Sequence, residues 1–162
     1  YDITITKSGY FNYFRHTTYQ DAATSKDSIL TARLVEIKVG SDIPMKGDLY
    51  FDQNDQGSIV LMQESYNVLD DVIKTLTDYP QIKIEVIGRI STEGMNLRSD
   101  NQITKKRAEA IKDYLVSKGI PESNISTRGS SIKELEKQIA EQNKTRGKVL
   151  FPPCEIKIKS AR

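Results

Sequence analysis

Apolar and polar positions along this chain fall into two regimes. Over residues 1–40 they alternate with a period of two, Ile3 and Ile5 against Thr4 and Thr6, and Val35, Ile37 and Val39 against Leu34, Glu36 and Lys38. A period of two belongs to strands. With a turn at Ser8-Gly9 ahead of the aromatic run Tyr10-Phe11-Asn12-Tyr13-Phe14, the pattern predicts a small β unit whose aromatics form its core. The polar stretch 16–27 reads as a loop, and residues 31–39 read as a strand. Turn-forming residues gather at Gly40-Ser41-Asp42-Ile43-Pro44. A boundary is expected there, dividing a β-rich segment 1–44 from a domain spanning 45–162.

Beyond it, strands alternate with helices. Asp48-Leu49-Tyr50-Phe51-Asp52 reads as a short strand closing in the turn Gln53-Asn54-Asp55-Gln56-Gly57. Leu69, Val72, Ile73 and Leu76 recur at three- and four-residue spacing, which predicts a helix over about 62–78, stopped by Pro80. Residues 82–87 alternate cleanly as a strand ending at Gly88. A second helix is expected over about 99–118, opened by a capping box of Ser99 and Gln102 and closed by Gly119. A brief strand at 125–128, a surface helix at 131–143 and a last strand at 154–158 complete the order β-α-β-α-β-(α)-β. The expected class is α+β, a helix-on-sheet domain with a small N-terminal β extension.

Composition narrows the field. The 162 residues suffice for one packed domain and a smaller companion, and 37% hydrophobic with 28% charged residues excludes a disordered or low-complexity chain. No apolar run approaches the roughly 18 residues of a membrane-spanning helix. Twenty-four Lys and Arg against 22 Asp and Glu leave a charge of +2, too balanced for bulk attraction to nucleic acid. The single cysteine, Cys154, excludes a disulfide within the chain. The chain opens Tyr1-Asp2-Ile3 without Met, so it is expected to be a piece of a longer protein whose signal peptide, anchor or further domains lie upstream.

Most catalytic chemistry fails on residue types. His16 is the sole histidine and has no nearby Ser and Asp at recognisable triad spacing. One His and one Cys cannot make a zinc site, and no phosphate-cradling glycine motif occurs, so no metal or cofactor is implied. Asp70-Asp71 reads as the solvated face of an amphipathic helix. What remains is the segment 88–107, a strand end, a glycine-containing loop and a helix start suited to an anion. Arg107 stands in line with Ile103 and Ile111 on the apolar stripe. Such an Arg either runs its stem over the core to reach water, the commoner outcome, or meets an anion.

These segments resemble the OmpA-like C-terminal domain, a peptidoglycan-binding module of Gram-negative envelope proteins. Leu49-Tyr50-Phe51-Asp52 resembles the family's "I-x-F-D", and the run from Ile84 to Gly94 resembles "I-x-I-x-G-H-T-D-x-x-G". The run from Ile103 to Leu115 resembles "L-S-x-x-R-A-x-A-V-x-x-Y-L", with Arg107-Ala108 in place, and Glu155-Ile156 resembles the end of "N-R-R-V-E-I". The resemblance covers about residues 47–159. It implies a non-catalytic site for the peptidoglycan stem peptide, chiefly its diaminopimelate, which ends in an ammonium and a carboxylate. Carried over, Arg107 grips the carboxylate, Phe51 and Asp52 line the pocket, Gly94 allows close backbone approach and Ile103 forms an apolar wall. Ser91 and Thr92 fall in the family's ligand loop. In that family such a domain tethers an envelope assembly to the cell wall, in the periplasm and at the outer membrane.

This sequence departs from the family at the ammonium's partner. The family's Asp aligns with Ser91, its His with Arg89, and its "N-R-R" with Phe151-Pro152-Pro153. A neutral hydroxyl bond is worth about 1 kcal/mol against about 1.5–3 for a charged one. Another acid is therefore expected to compensate, Asp100 before Glu93 or Asp52. The alternative is a scaffold that keeps the fold and holds a protein partner instead. The first ten residues are similar to the end of a carboxypeptidase-regulatory-like β domain. The segment 34–40 resembles the join found in Bacteroidetes envelope proteins, including periplasmic lipoproteins of the type IX secretion system.

Overall fold

The structure, a computed structural model, describes residues 2–16, 18, 31–53, 58–89, 100–131, 133, 134, 136, 137, 140 and 153–161. Strands β1 (Asp2–Ile5) and β2 (Tyr13–His16) pair antiparallel, and β3 (Phe51–Gln53) pairs antiparallel with β4 (Ile59–Leu61). Helix α1 (Gln63–Asp78), strand β5 (Lys83–Gly88) and helix α2 (Asp100–Ser117) follow, then β6 (Ile125–Gly129) and β7 (Cys154–Ser160). Strand β5 is central in the main sheet, parallel to β6 on one side and antiparallel to β7 on the other. The α+β class expected from the alternating elements is the one observed.

The core is built from the apolar stripes that the periodicity marked. Leu69, Val72 and Leu76 of α1 and Ala108, Ile111 and Leu115 of α2 are buried against Ile84 and Val86 of β5 and Ile156 and Ile158 of β7. Both helices end for local reasons. Tyr79 caps α1 one residue before Pro80. Gly119 takes φ +94°, the left-handed turn that lets the Ile120 N–H reach back to the Leu115 carbonyl oxygen.

Gly88 has a different duty. A Cβ built on it would stand 1.7 Å from the Thr104 carbonyl oxygen, because the α2 backbone rests directly on the end of β5. At the other end of the domain, Ser65 in the first turn of α1 is fully buried. The Tyr50 N–H donates to its hydroxyl at 2.7 Å, and the hydroxyl donates to the Tyr50 carbonyl oxygen at 2.9 Å. The residue leading into β3 is thereby tied to the helix.

Two expectations need correction. Residues 31–39 form no regular strand. Leu34 and Ile37 are half-buried while Val35 and Val39 are exposed, so the inward positions lie three apart and a continuous ladder is impossible. Scattered contacts remain, from the Phe11 N–H to the Val35 carbonyl oxygen and from the Ile37 N–H to that of Gly9. The strand expected at 48–52 begins at Phe51 and returns through β4. That partner was hidden in the run Ile59-Val60-Leu61-Met62, whose apolar residues carry no period of their own. The surface helix at 131–143 is seen only at described residues 133, 134, 136, 137 and 140, which are helical. Ser99 of the expected capping box lies outside the described residues, as does most of the 16–27 loop.

The segment 1–44 shares the main core rather than standing apart in space. Phe11 and Ile43 are buried with the helix and sheet residues, and the Phe11 ring meets the Tyr79 ring edge-on at 5.5 Å. Residues 40–43 run along the outer edge of β7, exchanging backbone hydrogen bonds with Ile156 and Ile158.

Replacing Gly88 by Ala drives a methyl group into immovable backbone and should destabilise the fold by about 3 kcal/mol or more. Urea unfolding of the variant beside the parent measures this.

Candidate functional site

The contact at Gly88 delivers Arg107 to its place. Thr104 packs against Gly88, and Arg107 follows three residues later on α2. Its Nη1 donates to the backbone carbonyl oxygen of Arg89 at 2.9 Å, just beyond the end of β5. Its guanidinium carbon lies 5.7 Å from the centre of the Phe51 ring, near enough for the cation to use the ring's negative face. Of the two outcomes open to this side chain, solvent reach is not the one taken. The group is half-buried and turned inward.

Among the described residues Arg107 has no counter-ion: no carboxylate lies within ion-pair distance of it. Its Nε is buried and has no hydrogen-bond partner there. A buried donor left in this state is a place where a ligand oxygen or water is called for. The guanidinium offers a planar fork matched to a carboxylate.

A second guanidinium lies close by. Arg89 is buried, and its Nη2 is ion-paired with Glu155 Oε2 on β7, an atom also 3.6 Å from Lys157 Nζ. The Arg89 N–H donates to the Pro153 carbonyl oxygen at 2.7 Å, so the residue after β5 is held to β7 by backbone and side chain together. Cys154, next to Pro153, senses this setting. Burial pushes its thiol up to about 12, and the Arg107 and Arg89 charges pull in the opposite direction.

The expected site residues divide into three groups. Phe51 and Arg107 are brought together, and Ile103 stands one turn earlier on α2, half-buried. Asp52 is exposed, and strand alternation sends it to the opposite face of β3 from Phe51. Asp100 is the first residue of α2. Ser91, Thr92 and Gly94, with Glu93, lie outside the described residues. The Arg89–Glu155 pair was not anticipated as a unit. Its signal in the sequence was a charge directly after an apolar strand and an acid between buried positions of another strand.

Against this geometry, a family model described as the OmpA family matches residues 50–148. Outer membrane protein A of Klebsiella pneumoniae is 33% identical over 90 residues, a match taking in 52% of this chain and 24% of that protein. Outer membrane protein A of Citrobacter freundii is 33% identical over 86 residues, covering 52% of this chain and 35% of the relative. The matches thus span between a quarter and about a third of the length of these relatives. Among solved structures, the peptidoglycan-associated lipoprotein of Burkholderia pseudomallei aligns with 68% of this chain and 86% of its own, at 15% identity and a TM-score of 0.46. An outer membrane protein of Borrelia burgdorferi aligns with 68% of this chain and 96% of its own, at 18% identity and a TM-score of 0.44.

The Cys154 thiol should resist a thiol-specific reagent such as dithionitrobenzoate at pH 8 while the chain is folded, and react once it is unfolded in urea. Its contribution to stability should be intact below about pH 9. It should be lost as pH rises towards 12, because the unfolded chain releases that proton first.

Proposed function

This chain belongs to the OmpA family, and on that premise we propose that it binds the peptide stem of peptidoglycan without catalysis, with Arg107 as the group that takes the ligand's carboxylate. The observation that carries the proposal is the Arg107 guanidinium itself. It is half-buried, oriented by the Arg89 carbonyl oxygen and the Phe51 ring, and without a carboxylate partner among the described residues. Burying a charge is unfavourable unless something offsets it, and an incoming carboxylate would supply both the opposite charge and the acceptor for the idle Nε.

The ligand class follows from the family resemblance. Diaminopimelate presents a carboxylate and an ammonium at one end, so the site calls for an acid facing Arg107. Ser91 stands where the family has Asp, and Asp100 at the start of α2 is the acid proposed to compensate. Thr92 and Gly94 would complete the loop side of the pocket, with Ile103 and Phe51 as its apolar walls; Asp52, on the opposite face of β3, is left out of it.

A domain of this kind would act as a tether. The matched relatives are named outer membrane proteins, and no helix among the described residues is long and apolar enough to cross a membrane. We place the domain in the periplasm, anchoring an outer-membrane or secretion-system assembly to the wall. The resemblance of segment 34–40 to the join found in Bacteroidetes envelope proteins, some of them periplasmic lipoproteins of the type IX secretion system, supports an assembly of that class.

The protein should co-sediment with purified sacculi. Arg107→Ala should weaken that retention by about tenfold or more, and Arg107→Lys should fail to restore it, since an ammonium cannot make the two-bond grip. Equal retention of parent and Arg107→Ala would remove Arg107 from the site. No retention of the folded parent would favour the alternative of a scaffold for a protein partner.

A further inference from the structure

Two guanidinium groups lie on opposite faces of the same strand end, and one peptide unit connects them. Strand alternation puts Ile84, Val86 and Gly88 on the face covered by the helices, and Glu85, Ile87 and Arg89 on the other. Glu155 pairs in register with Ile87, so its carboxylate meets the Arg89 side chain on that second face. Arg107 comes from the helix side and donates to the carbonyl oxygen of Arg89. That acceptor, with the Phe51 ring, orients the Arg107 fork.

We infer that Arg89 and Glu155 are positioning residues for Arg107: their ion pair holds the Arg89 side chain and the N–H bond to Pro153 holds its backbone nitrogen, so the residue whose carbonyl oxygen receives the Arg107 guanidinium is anchored on two sides of its Cα. The inference rests on the reading of Arg107 as the anion-binding group. Neither Arg89 nor Glu155 needs to touch the ligand.

The ion pair has features that suit a lock better than a general stabiliser. Arg89 is buried and Glu155 half-buried, with side-chain exposures of 8% and 18%, so salt screens the pair less than an exposed one. Arg89 follows the last residue of β5, and there the Gly88–Arg89 peptide is held at both ends, its carbonyl oxygen by the Ser130 N–H at 2.8 Å and its N–H by the Pro153 carbonyl oxygen at 2.7 Å. The ion pair adds the side-chain anchor at the Cα from which the Arg89 carbonyl oxygen extends.

The test uses the full chain, 15N-labelled, with the Arg107 side-chain resonances identified by their loss in Arg107→Ala. In the parent, the Arg107 guanidinium protons should exchange slowly with solvent. Glu155→Gln and Arg89→Met should speed that exchange by about tenfold or more while the core methyl spectrum stays that of the parent, and should weaken sacculus retention by a similar factor. The reversed pair, Arg89→Glu with Glu155→Arg, should recover slow exchange. Should either single variant fail to fold, Arg89→Lys, which keeps the charge, is judged by the same signal. Unchanged Arg107 exchange in any folded variant lacking the pair overturns the inference. The exchange measurement needs no ligand. Loss of sacculus binding by the parent would thus count against the proposed function alone, and unchanged exchange in a parent that binds would count against this lock alone.

Discussion

At Gly88 the backbone of α2 comes down onto the end of β5 so closely that no side chain fits between them. The consequences run outward from that contact. With Thr104 seated on the strand, the helix axis is held at a fixed height, and Arg107 emerges beside the residue that ends β5. A bulkier residue at 88 would lift the helix and take the guanidinium away from both the Arg89 carbonyl oxygen and the Phe51 ring. The core on either side, Ala108, Ile111 and Leu115 against Ile84, Val86 and Ile156, has the small and branched side chains that such an approach allows.

Electrostatics at the site follow an unequal count. Of the two guanidinium groups, Arg89 engages a carboxylate, that of Glu155 on the far face of the sheet, and Arg107 engages none among the described residues. The excess positive charge is left on the helix side, on a group with a buried idle donor. This arrangement favours an anion over a neutral ligand. The buried Cys154 feels both charges and stays a thiol because desolvation outweighs them.

The N-terminal part contributes to the same architecture from a distance. Tyr79, at the end of α1, accepts from the Asn12 N–H and donates to the Tyr10 carbonyl oxygen, and its ring packs on Phe11. Residues 40–43 occupy the outer edge of β7, which would otherwise offer unpaired backbone groups. The strand that carries Glu155 is thus paired on both sides. A load applied through residues 1–44 would reach the main sheet through hydrogen bonds and packing.

The sequence by itself determined the helices α1 and α2 and the strands β5, β6 and β7. All but β6, a brief strand with one apolar side chain, carry a repeating apolar stripe, so their identity depends on neighbours a few residues away. It also determined Arg107 as the residue to watch, since a cation on an apolar stripe is conspicuous in a linear pattern. The hairpin partner β4 was not legible, because three consecutive apolar residues have no period, and residues 31–39 alternated without a continuous strand partner. What Arg107 touches was decided only by tertiary structure. Phe51 and the Arg89 carbonyl oxygen come from distant strands, and a backbone oxygen has no letter of its own in the sequence. The Arg89–Glu155 pair belongs to the same class, since it exists only once β5 and β7 lie side by side in register.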